Sequence, residues 1–227
     1  MFGHHKKIWK RKCLSGLVLC LLAVCVGIGC STIRLRKEPD TDKIWTCYNA
    51  ADEAIKLMDY KTGILLHERF LEKGPKNALA LYHLGYAYGR MGDHLKEVYY
   101  YEEAITLEFT QNRIFYNLGM AYGELSNIDK SIDAFINALE MDPDNADNHF
   151  GLAMAYCQKG IADKLSEEEF LKTIRIDPKH IDARLYLSIL YVDMGEFPKA
   201  AEQLRKIIEI DPGNIRARKL LDRIKRE

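Results

Sequence analysis

Seven histidines, six cysteines and 33 acidic side chains supply donors enough for metal, nucleophilic or acid–base chemistry, so their spacing decides whether any is set up. His67-Glu68-Arg69-Phe70 opens as a zinc-hydrolase helix would but lacks the second histidine. The chain has no Cys-x-x-Cys pair, no Gly-rich phosphate loop and no Gly-x-Ser-x-Gly elbow. His4-His5 fall in a segment open to removal by processing. Asp and Glu are spread over what read as helix surfaces, where solvated charge is their ordinary role. The sequence therefore predicts a non-enzymatic chain with no cofactor and no metal. Cys13, Cys20, Cys25 and Cys30 share one apolar run, and only Cys47 and Cys157 fall in the body. Those two stand three repeat units apart in the frame derived below, roughly tens of ångströms and beyond the ~7 Å Cα limit of a disulfide.

The elements that carry these residues are a charged, apolar leader and a periodic body. Lys6, Lys7, Lys10, Arg11 and Lys12 precede residue 31 and no acid does; without residues 1–29 the remainder holds 28 bases against 33 acids. A mildly acidic body with no basic stripe argues against DNA or RNA as a partner. Residues 13–30 carry no charge, a run at the lower edge of bilayer-spanning length and slightly long for a signal h-region. The bases before it outweigh Arg34, Arg36 and Lys37 after it, which places the N-terminus in the cytoplasm and the body outside. Gly27-Ile28-Gly29-Cys30-Ser31 resembles a bacterial lipoprotein signal peptide. The resemblance implies cleavage before Cys30 and acylation of its thiol, although Gly27 stands where that family usually has Leu, Val or Ile. The alternative is an uncleaved anchor or a simple signal peptide. Residues 31–43 read as a short polar tether.

The body repeats. Asp142-Pro143, Asp177-Pro178 and Asp211-Pro212 end similar segments at spacings of 35 and 34 residues, and the same frame carried backwards reaches Phe109 and Pro75. Five units follow, near residues 44–77, 78–111, 112–145, 146–180 and 181–214. Position 7 of the unit is Ala50, Leu84, Leu118, Leu152 and Leu187. Position 8 is small throughout (Ala51, Gly85, Gly119, Ala153, Ser188). Position 11 is Ala54, Tyr88, Tyr122, Tyr156 and Tyr191, and position 24 is His67, Tyr101, Phe135, Phe170 and Leu204. This pattern resembles the tetratricopeptide repeat family over residues 44–214. The resemblance implies an all-α, right-handed superhelical solenoid of about five helix–turn–helix units, with residues 215–227 as the capping helix. Small residues at position 8 let paired helices cross closely, and the position-11 and position-24 side chains fill the space around the crossing. Proline at position 32 ends the second helix in every unit but the second, which has Phe109 there. Asn77, Asn145 and Asn214 then stand where they can cap the next first helix. Unit 1 lacks Leu-Gly and Tyr, Glu97 occupies the usually small position 20, and the extra residue of unit 4 is expected within 161–165.

In this family positions 2, 5, 6, 9, 12 and 13 of each first helix face a concave groove. The resemblance thus assigns Tyr82, His83, Tyr86 and Arg90 to it. Unit 3 adds Arg113, Tyr116, Asn117, Met120 and Glu124, unit 4 adds Phe150, Met154, Cys157 and Gln158, and unit 5 adds Leu185, Tyr186, Ile189 and Asp193. Such a set suits an apolar protein segment or helix, with the two arginines available to an acidic group. The alternative is that these residues pack on each other or on a second copy. Asn117 fits the chaperone-carboxylate clamp of some members, but Tyr82, Tyr86, Asp147 and Gly151 do not. The resulting expectation is a membrane-tethered adaptor for a protein partner, similar to the small envelope lipoproteins that serve pilus secretins or peptidoglycan hydrolases. A self-associating homodimer and an accessory subunit of an inner-membrane complex are the alternatives.

Overall fold

The computed structural model describes residues 49–160 and 163–226. The leader, Cys30, the tether and the start of unit 1 lie outside the described residues, as do residues 161 and 162, part of the stretch assigned the extra residue of unit 4. Among the described residues there are eleven α-helices and no strand. They are α1 (Asn49–Lys56), α2 (Tyr60–Lys73), α3 (Ala78–Arg90), α4 (His94–Thr106), α5 (Asn112–Glu124), α6 (Ile128–Met141), α7 (Ala146–Lys159), α8 (Asp163–Ile176), α9 (Ile181–Asp193), α10 (Phe197–Ile210) and α11 (Ile215–Ile224). Each packs on the next, giving five helix pairs and a terminal helix, as the periodicity predicts. The second helix of each unit packs on the first helix of the next, and the first helices of units 1 to 4 also touch, α1 on α3, α3 on α5 and α5 on α7, so they share one side of the array.

The interior follows the repeat register. Every position-24 side chain is buried (His67, Tyr101, Phe135, Phe170 and Leu204), as are Leu84, Leu118, Leu152 and Leu187 at position 7. Burying a side chain of this size stabilises by about 1.5–3 kcal/mol. Ala50, at position 7 of unit 1, is exposed instead. The close crossing is visible at Gly119, where an added Cβ would stand 2.8 Å from the Phe135 ring.

Helix ends are set by local chemistry. The predicted caps form: Asn77 Oδ1 accepts from the Ala80 N–H at 2.8 Å, Asn145 from Asn148 at 3.2 Å and Asn214 from Ala217 at 3.0 Å. Position 15, inside every turn, is left-handed: Met58 (φ 61°), Gly92 (φ 80°), Ser126 (φ 57°), Gly160 (φ 66°) and Gly195 (φ 74°). Glycine relieves that conformation in three units, while Met58 and Ser126 bear its steric cost. Unit 2, which lacks the proline, turns differently. Glu108 is left-handed (φ 62°), and Phe109, where the proline would stand, is buried with its ring 5.1 Å from that of Tyr82. Glu97 is buried at its usually small position because Gly89 faces it; a Cβ at Gly89 would collide with the carboxylate.

A polar tie also recurs between units. The Tyr88 hydroxyl donates to Glu68 Oε1 at 2.7 Å, Tyr122 donates to Glu102, and Tyr191 donates to Glu167 Oε1 at 2.8 Å. Lys96, Lys130 and Lys199 sit over these three rings at 4.5, 5.0 and 5.1 Å. Burial, then the carboxylate each hydroxyl binds, pushes all three phenols up.

Candidate functional site

Helix α5 is central to the side on which the first helices meet. Arg113, Tyr116 and Asn117 line one pocket of about 320 Å³ with Ile55, Tyr82, His83 and Tyr86. One turn on, Met120 and Glu124 line a second pocket of about 320 Å³ with Phe150, Met154, Gln158 and Tyr186. These five α5 residues fall at i, i+3, i+4, i+7 and i+11, a single stripe along the helix. The structure thus brings twelve of the seventeen groove residues assigned from the sequence into two pockets that share α5.

Arg90, Cys157, Leu185, Ile189 and Asp193 stand apart from both. Arg90 is exposed, with its guanidinium 5.9 Å from the Tyr60 ring, and Cys157 is exposed on α7; neither is among the described lining residues. Leu185, also assigned to the groove, is instead buried among α7–α11 side chains.

The aromatic side chains are not idle surface. The Tyr82 ring lies 5.7 Å from Tyr101, and Tyr116 meets Phe135 edge-on at 5.8 Å. Phe150 lies 4.9 Å from the His180 ring and 5.9 Å from Tyr186. Asn117 Nδ2 donates to the buried Tyr101 hydroxyl at 2.9 Å, which fixes its orientation. These rings both pack on the protein's own aromatic side chains and line the two pockets. Burial pushes the phenols of Tyr82 and Tyr116 up, keeping them neutral donors. Arg113 and Tyr116 also border a polar recess of about 290 Å³ with Asp142, Asn145, Asp147 and Asn148.

Beside the first pocket lies an arrangement that the sequence reading missed. Asp52 of α1, His67 of α2 and His83 of α3 bring one donor atom each to within 4.8 Å of one another. Asp52 Oδ1 is 3.3 Å from His67 Nε2 and 2.8 Å from His83 Nδ1. The ring centroids are 5.3 Å apart. Burial first, then the charge on His83, takes the His67 imidazole down to about 4, with Asp52 opposing; burial also lowers His83. The available signal was a histidine in the position-24 slot that other units fill with Tyr, Phe or Leu.

Sequence models of the tetratricopeptide repeat match residues 78–111, 113–145 and 168–224, together more than half of the chain. The chain belongs to the tetratricopeptide repeat family. Its array has the fold of a protein-interaction scaffold, which solved tetratricopeptide structures share. The crystal structure of MamA matches with 24% identity and a TM-score of 0.69, covering 74% of this chain and 97% of that one. YrrB, described as a tetratricopeptide protein with an unusual peptide-binding site, matches with 22% identity and a TM-score of 0.67 over 75% of this chain and 88% of its own. A thermophilic tetratricopeptide protein of Thermus thermophilus shares 19% identity at a TM-score of 0.58, covering 79% of this chain and 97% of that one. Among curated proteins none matches in sequence. Among the described residues no helix is long and apolar enough to cross a membrane.

Proposed function

We propose that the array is the partner-binding part of a non-catalytic adaptor, held at a bacterial envelope membrane by residues 1–30, and that its partner is a protein segment seated on the α5 stripe. The observation that carries this reading is the stripe itself. One helix presents Arg113, Tyr116, Asn117, Met120 and Glu124 in a row and supplies walls to both pockets. Half-buried tyrosine, phenylalanine and methionine around it favour apolar anchors, because rigid or adaptable apolar surface binds at low entropic cost. Arg113 favours an acid in the segment. The peptide-binding description of YrrB is consistent with this use of the fold. Panning the full chain against a displayed peptide library tests it. Enrichment of sequences with two apolar anchors, lost in a Tyr116→Ala/Met120→Ala variant of unchanged helicity, is the expected outcome; equal enrichment by the variant overturns it.

Membrane attachment rests on the leader sequence and is tested separately. Native protein is expected to show a mass matching cleavage before Cys30 plus acyl chains, both lost in Cys30→Ala. An unchanged, uncleaved mass leaves the anchor reading in its place.

A further inference from the structure

We propose that Asp52, His67 and His83 form a binding site for a borderline transition-metal ion of the Zn²⁺ kind, at the junction of α1, α2 and α3. Two features of the geometry support it. First, both imidazoles converge on the same carboxylate oxygen, with His67 Nε2 at 3.3 Å and His83 Nδ1 at 2.8 Å from Asp52 Oδ1. Ligands about 2.0–2.2 Å from a tetrahedral Zn²⁺ stand roughly 3.3 Å from each other. The Asp52–His67 pair already has that spacing, and His83 needs to retreat from Asp52 by a few tenths of an ångström. The two imidazole donors, within 4.8 Å of each other, close to about the same spacing when the ion binds. Second, the donors come from three helices and from positions that do not require them. Position 24 is Tyr101, Phe135, Phe170 and Leu204 in the other units, while unit 1 places the fully buried His67 there.

The donor set suits the ion. Two imidazoles and one carboxylate are nitrogen–oxygen ligands of the type that favours Zn²⁺, Ni²⁺ or Cu²⁺ over Mg²⁺ or Ca²⁺. Burial depresses the basicity of both rings, so an ion competes less with a proton, and binding places each neutral ring's remaining N–H on the nitrogen turned away from the ion. One carboxylate against a divalent ion leaves a single positive charge, with Lys56 the nearby basic group that acts on His83. His83 also lines the pocket that holds Tyr82, Tyr86 and Arg113. Three protein ligands leave a coordination position for water or for an incoming side chain, the arrangement of an exchangeable site rather than a closed structural one. The inference does not depend on a peptide occupying the groove.

The test uses the full chain with His4→Ala and His5→Ala, which removes the leader histidines as competing ligands. Titration with Zn²⁺ against a chelating dye is expected to show one equivalent bound and a rise of about 3 °C or more in Tm at saturation. Asp52→Asn and His83→Gln, at partly exposed positions, are each expected to weaken binding about tenfold or more while retaining the helical circular-dichroism spectrum. Co²⁺ is expected to give visible bands of nitrogen–oxygen coordination. Equal affinity in the parent and both variants, thiolate-to-cobalt charge transfer, or no saturation up to millimolar Zn²⁺ would each overturn the site and leave a close His–Asp–His contact that holds no ion.

Discussion

The two ends of the array solve the same packing problem with different chemistry. Units 4 and 5 with α11 share one apolar core, in which Phe170, Leu187, Leu204, Ile207 and Leu221 interlock with alanines at the close approaches. Units 1 and 2 have split clusters, and their interior admits His67, Glu97 and Asn77. Unit 4 buries polar side chains too, His149 against Glu169 among them, so the difference lies in which repeat positions are polar. The contrast is sharpest at position 24, where unit 5 buries Leu204 and unit 1 buries His67. A repeat needs only something of the right size in that slot to fold. The histidine at position 24 of unit 1 is therefore a local departure from a slot that the other four units fill with Tyr, Phe or Leu.

The largest effect expected from breaking the apolar end is Leu204→Ala, a loss of about 2–5 kcal/mol in urea unfolding. The matching change, His67→Phe, installs what unit 4 uses in the same slot. It is expected to leave stability within about 1 kcal/mol of the parent while removing the metal affinity. A cost equal to that of Leu204→Ala would show that the polar end depends on its histidine for folding.

Next in size is the pairing of Gly89 with Glu97. Gly89→Ala drives a methyl into the buried carboxylate and is expected to cost about 1–3 kcal/mol. Glu97→Ala in the same chain should recover most of it, a coupling that a double-mutant cycle measures. Additive effects would mean that the two side chains do not share space.

The same carboxylate gives a pH signature. Burial raises Glu97, Glu124 adds to the rise, and the hydrogen bond from His94 opposes it. Because its folded pKa lies above the unfolded value, its favourable contribution is complete below the unfolded carboxylate pKa of about 4.3 and is lost as pH rises through the folded value. Melting curves of Glu97→Gln should therefore gain on the wild type between about pH 4 and 7. A constant gap across that range would rule out the raised carboxylate as the cause. C-terminal units, with Ser166 and Ala200 at this position, have no equivalent group.

The smallest effects concern the turns. Ser126→Gly and Met58→Gly should each stabilise by about 0.5–1 kcal/mol, since both residues hold a left-handed φ that glycine adopts freely. Gly195→Ala should move thermal unfolding in the opposite direction by a similar amount.

Period and composition made much of this legible. Five position-24 side chains and the three asparagine caps could be named from spacing alone, because a 34-residue period repeats the same contacts. The stripe on α5 was legible through the resemblance to the tetratricopeptide family, which places those first-helix positions in the groove. What was not legible depends on pairs that cross the frame. His67 and Asp52 lie 15 residues apart and His83 another 16, and each has a separate place in the repeat. Gly89 explains Glu97 only once the two helices are packed. Leu185 was misassigned because α9 turns that position into the terminal core, which the capping helix helps to bury.

The stripe on α5 also acts as a ruler. From Arg113 to Glu124 the helix rises about 16 Å at about 1.5 Å per residue. An extended strand covers that reach in roughly five residues, and a helix laid alongside needs about eleven. A segment that grips both pockets must therefore be short if straight and about three turns long if coiled, so the length of the smallest competing peptide would report the backbone shape of the occupant before any complex is seen.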